Sequence, residues 1–92
     1  MDYRKRVHIL VSGRVQGVLF RQAALNKARA LKLTGFVTNL LDGEVEILAE
    51  GDKDKLEALV GFTEKGPLAA KVDNCKITWE KYQDEFSSFE IK

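Results

Sequence analysis

Two groups of residues in this chain have the types and spacing to do chemistry. The first is Gly13-Arg14-Val15-Gln16-Gly17-Val18-Leu19-Phe20-Arg21, a glycine-containing run that ends in arginine. Glycines let successive backbone N–H groups turn toward one point, and a helix that follows adds its own unpaired N-terminal donors, so the stretch favours a bound phosphate or carboxylate. Arg21 falls in the first turn of that helix, where a planar five-donor guanidinium can clamp phosphoryl oxygens in pairs. The plain alternative is a tight turn with Arg21 extended into water. The run is not a Walker loop, because it lacks Gly-Lys-Ser/Thr, and its glycine spacing does not match a dinucleotide fingerprint.

The second is Asn39, inside the strand-like run Gly35-Phe36-Val37-Thr38-Asn39, where asparagine is normally depleted. Either it begins the descent into the turn at Asp42-Gly43, or its amide holds a water or a substrate oxygen. Other reactive side chains read as structural. Cys75 lies in a strand without a glycine loop, and the residue six further on is Lys81 rather than an arginine, so a buried thiol is expected. His8 is expected to face outward on the first strand. Glu44, Glu46 and Glu50 alternate with Val45, Ile47 and Ala49 and read as the solvated face of a strand.

These residues need elements to hold them. Lys5 to Ser12 alternates as a half-buried strand, with Val7, Ile9 and Val11 on one face. Phe20, Ala23, Ala24, Ala28 and Leu31 then recur at helical spacing. Gly35 to Leu40 and Glu44 to Glu50 are two strand-like runs around Asp42-Gly43, a dipeptide suited to a hairpin. A second helix is predicted from about Asp52 through Leu56, Leu59, Val60 and Thr63 to Gly66-Pro67. Val72 to Lys81 returns to alternation, and Phe86 to Ile91 is open to forming a short extra C-terminal strand. The order β-α-β-β-α-β predicts an α+β, ferredoxin-like split βαβ sandwich: an antiparallel sheet with two helices on one face.

Bulk properties narrow the partners. The 92 residues, 45% hydrophobic and 32% charged, are expected to form one domain spanning 1–92. Fifteen basic against fourteen acidic residues give a net charge of +1, which supplies no basic excess for nucleic acid or membrane. One cysteine and one histidine are too few for an ordinary zinc site, and no metal or cofactor is expected. The charged start Met1-Asp2-Tyr3-Arg4-Lys5-Arg6 runs straight into the first alternation without a signal-peptide core, so a cytoplasmic location is expected.

Gly13-Arg14-Val15-Gln16-Gly17-Val18-x-Phe20-Arg21, together with Gly35-x-Val37-x-Asn39-x-x-Asp42-Gly43-x-Val45-Glu46, resembles the paired signature of the acylphosphatases. The likeness continues through Glu50-Gly51, Gly66-Pro67 and Phe86-Ser87-Ser88-Phe89-Glu90-Ile91, nearly the whole chain. The resemblance implies hydrolysis of acyl phosphates to a carboxylate and inorganic phosphate by direct water attack, without metal. It implies that the loop of Arg14, Val15, Gln16, Gly17, Val18, Leu19 and Phe20 binds phosphoryl oxygens through backbone amides. Arg21 is implied to bind phosphate and Asn39 to orient the attacking water. It further implies a small-molecule acyl phosphate substrate, inorganic phosphate as product and competitive inhibitor, and a monomer. The sequence departs from the family at Lys32, often glycine, at Phe36, commonly tryptophan, at Thr38, commonly basic, and at Leu41, frequently proline.

Two other classes compete. An RNA-recognition module shares the layout, but its sheet face needs aromatic and basic residues where the third strand offers Glu44, Glu46, Leu48 and Glu50. A phosphate- or carbamoyl-phosphate-binding regulatory module of acylphosphatase shape would keep the loop with little turnover. The presence of both Arg21 and Asn39, in a chain that ends soon after the last strand, favours the free-standing enzyme.

Overall fold

A computed structural model describes residues 3–92; Met1 and Asp2, part of the charged start, lie outside the described residues. The elements are β1 (Arg4–Arg14), α1 (Phe20–Ala30), β2 (Thr34–Asn39), β3 (Val45–Asp52), α2 (Lys53–Lys65), β4 (Lys71–Lys81) and β5 (Phe89–Ile91). They form one five-stranded sheet in the order β4-β1-β3-β2-β5, with both helices packed on one face.

Four strands pair antiparallel, as expected. The extra C-terminal strand that the sequence left open does form: β5 pairs with β2 in parallel, Val37 opposite Ile91, so the sheet is mixed. The reason is topological. From the end of β4 the chain crosses to the opposite edge of the sheet along residues 82–88, and so enters β5 running in the same direction as β2.

The expected alternation produces the core. Val7, Ile9 and Val11 stand opposite Ala49, Ile47 and Val45 in register, and all six are fully buried. Phe20, Ala24 and Ala28 of α1, with Leu56 and Leu59 of α2, cover them. The period-2 and period-3.6 stripes thus meet face to face, the arrangement that removes both from water.

The first strand runs further than its apolar alternation. β1 continues through Gly13 and Arg14, paired to Val72 and Lys71, after a register shift between Ser12 and Gly13. Gly13 has φ +122°, and a Cβ there would lie 2.3 Å from the Lys71 carbonyl oxygen, so only glycine fits this bulge.

α1 ends in a Schellman motif, with Leu33 N–H donating to Ala28 O and Lys32 N–H to Arg29 O. The motif puts Lys32 at φ +60°, a left-handed position that glycine occupies without strain. No helix among the described residues is long and apolar enough to cross a membrane.

Glu50 departs from the sequence reading. It was expected on a solvated face, yet it is 1% exposed. Its carboxylate accepts hydrogen bonds from Gln83 N–H (2.7 Å) and Glu85 N–H (2.9 Å), because the crossing segment 82–88 covers that end of the open face. Arg6, opposite Glu50 in register, lies with Nε 3.3 Å from Glu50 Oε2, a charge contact outside hydrogen-bonding alignment. It also pairs with Glu85 and packs under the Phe86 ring. Glu44 precedes β3, and Glu46 is half-buried against His8, Nε2 to Oε2 2.8 Å. The pair sits on the sheet face opposite the helices, so His8 is a partnered side chain of that face.

Candidate active site

At the end of the sheet where β1 runs out and α1 begins, Val15, Gly17, Leu19, Phe20, Arg21, Gln22, Asn39 and Ile91 line a cleft of about 320 Å³. The loop that enters it departs twice from ordinary backbone. Gly17 has φ +73°, with open space where a side chain would stand, and Leu19 has φ +62°, unusual for a branched residue. Leu19 is also the N-cap of α1, and its side chain is 80% exposed. Serine, threonine, aspartate or asparagine at that place would bond to the helix's first N–H groups; leucine leaves them without a capping side chain and available to an anion.

Arg21, the second residue of α1, is half-buried and lines the same cleft. Its guanidinium has no ion pair or hydrogen bond among the described residues. A partly desolvated, uncompensated cation beside open helix donors is a site organised for negative charge.

Asn39 closes the opposite wall. The register explains its position: Asn39 stands beside Val45, which stands beside Val11, so all three share the helix-facing row. Val11 and Val45 are fully buried, while Asn39, at the row's outer end, reaches the cleft. Its Oδ1 is buried without a hydrogen-bond partner. An orphaned acceptor of this kind costs about 1–3 kcal/mol unless water or ligand supplies a donor. Asn39 is thus the last residue of β2 before the turn and at the same time a lining residue of the cleft.

The other expected phosphate-binding residues divide. Val15 and Phe20 line the cleft as buried apolar floor. Arg14 is the exposed last residue of β1 and does not line it, and Val18 packs against the core instead. The Gln16 side chain is committed elsewhere, its Nε2 donating to Leu40 O (2.8 Å) and Glu44 O (2.9 Å). Gln22 and Ile91 line the cleft without having been anticipated. Gln22 follows from its place one residue beyond Arg21, whereas Ile91 depends on the parallel pairing of β5, which has no local signature.

Cys75 lies away from the cleft, on the helix-facing side of β4, with Sγ 3.6 Å from the Thr63 carbonyl oxygen. Burial, reinforced by the charge of Glu64, pushes its thiol above the ordinary range, which opposes nucleophilic use. Among the described residues no three His, Cys, Asp or Glu side chains converge as metal ligands.

The acylphosphatase family profile matches residues 7–91. An acylphosphatase from Pelotomaculum thermopropionicum is 47% identical over 88 residues, covering 96% of each chain. The solved acylphosphatase of Coxiella burnetii superposes with a TM-score of 0.91 at 37% identity, covering 97% of this chain and 93% of that one. That of Bacillus subtilis gives 0.91 at 38% identity, covering 96% and 98%. The chain belongs to the acylphosphatase family, hydrolases that act on small-molecule acyl phosphates.

Proposed function

We propose that the phosphoryl group of an acyl phosphate is held by backbone amides of the loop at residues 15–20 and by Arg21, while Asn39 orients the water that attacks phosphorus. The observation that carries this reading is the pairing, in one cleft, of an unpartnered guanidinium with an orphaned amide oxygen. Each lacks what the reaction would bring, an anion for Arg21 and a water O–H for Asn39 Oδ1.

The chemistry needs little more. The water oxygen forms a bond to phosphorus as the bond from phosphorus to the acyl oxygen breaks, and the electron pair leaves on the carboxylate. The proton of the attacking water passes to a phosphoryl oxygen. A carboxylate is a good leaving group, so positioning and compensation of phosphoryl charge do most of the work. No side-chain base is required, in keeping with a cleft that no carboxylate or histidine lines among the described residues.

On this reading the chain acts as a single-domain, metal-independent monomer of the cytoplasm, with inorganic phosphate as product and competitive inhibitor. Hydrolysis of benzoyl phosphate with and without EDTA tests it. Turnover undiminished by the chelator is expected; a strict metal requirement, or no turnover at all, contradicts it.

A further inference from the structure

The two halves of the proposed site come from separate parts of the chain, the phosphate loop after β1 and Asn39 at the end of β2, and something must fix the distance between them. Main-chain hydrogen bonding does not join them directly: β1 and β2 are each paired to β3, not to one another. One side chain bridges the gap. Gln16, next to Gly17 in the loop, donates both of its available N–H bonds to the carbonyls of Leu40, next to Asn39, and Glu44, next to Asn39's cross-strand partner Val45.

The two acceptors are fixed in turn. Leu40 N–H donates to Glu44 O and Gly43 N–H to Leu40 O, so the turn is closed on itself, and Asp42 Oδ1 accepts from Glu44 N–H. The Gln16 amide therefore docks onto a rigid pair of carbonyls rather than onto a loose loop. Its chemistry matches the task, since a primary amide offers two donors in a plane, whereas a carboxylate of the same shape would bring only acceptors to two carbonyl oxygens.

We propose that Gln16 is a positioning residue for hydrolysis: it sets the separation between the bound phosphoryl group and the water held by Asn39. The proposal rests on the reading of Asn39 given above. The Gln16 side chain is bonded to the turn beside Asn39 and does not line the cleft, so its loss is expected chiefly in the placement of water relative to the phosphoryl group rather than in the affinity for phosphate. A displacement of about 1 Å between reacting groups costs on the order of 10²-fold in rate.

The test is a double-mutant cycle of Gln16→Leu and Asn39→Ala, with Gln16→Glu as an isosteric second variant. Turnover of benzoyl phosphate and the inhibition constant of inorganic phosphate are measured for each, with circular dichroism to establish that each folds. Gln16→Leu is expected to lower kcat by roughly 10²-fold with inhibition by phosphate little changed. In the Asn39→Ala background the same substitution is expected to lower kcat far less, because the water it helps to place is already lost. Gln16→Glu should reproduce the kcat loss of Gln16→Leu.

Equal effects of Gln16→Leu in the two backgrounds, or a loss of phosphate inhibition in step with kcat, overturn the proposal while leaving Asn39's own role standing. Wild-type turnover in Asn39→Ala alone overturns both.

Discussion

The two ends of the sheet handle charge in opposite ways. At one end Arg6 is packed under Phe86 and faces Glu50 and Glu85, and the Glu50 carboxylate is filled by two backbone N–H groups. At the other, Arg21 has no counter-charge among the described residues, Asn39 Oδ1 has no donor, and the first turn of α1 has no capping side chain. Burying polar groups is costly in both places; Arg6 Nε, like Asn39 Oδ1, makes no hydrogen bond, but only the first end supplies counter-charges within the chain. The contrast teaches that a buried charge neutralised by its own fold serves the architecture, while one without a counter-charge beside a cleft is a candidate for binding.

Strain follows the same division. Lys32 and Leu19 both have left-handed backbone, φ +60° and +62°. The first serves a helix stop that glycine would serve better; the second stands at a helix start left without a capping side chain.

Substitutions can break or sharpen this comparison. The largest effect is expected from Arg21→Ala, which should remove detectable turnover, a loss of more than about 10³-fold, together with competitive inhibition by inorganic phosphate. Inhibition persisting at wild-type strength would make Arg21 an ordinary surface cation. Glu50→Ala should do the reverse, destabilising the fold in urea titrations because it leaves the Gln83 and Glu85 N–H groups without their acceptor, at about 1–3 kcal/mol for each one that stays buried, and takes away one of the carboxylates facing Arg6. The folded protein should still be inhibited by phosphate; loss of inhibition without loss of stability would erase the distinction between the two ends. Smallest is Lys32→Gly, expected to raise stability by about 1 kcal/mol with no change in kcat. A destabilised variant would mean that Lys32 is not strained.

Much of this was legible from local pattern, because alternation in Val7, Ile9 and Val11 and helical spacing in Phe20, Ala24 and Ala28 report directly on burial. The glycine loop and Arg21 could be read as an anion nest on the same grounds, and the family motif joined them to Asn39. What pattern missed depends on contacts distant in sequence. Glu50 looks solvated until residues 82–88 cross over it, and Ile91 reaches the cleft only through parallel pairing with β2. β1 extends past its alternation because a bulge at Ser12/Gly13 restores pairing with β4 after the register has slipped. The two hydrogen bonds from Gln16 to the turn at residues 40–44 are invisible for the same reason, since its partners lie 24 and 28 residues away.

The central claim is a division of labour in which Arg21 and the loop hold phosphate and Asn39 holds water. It is tested most directly by measuring, in Asn39→Ala, both benzoyl phosphate turnover and the inhibition constant of inorganic phosphate. Turnover is expected to fall by about 10²–10³-fold with the inhibition constant nearly unchanged. Unchanged turnover, or inhibition lost in parallel with it, would contradict the account.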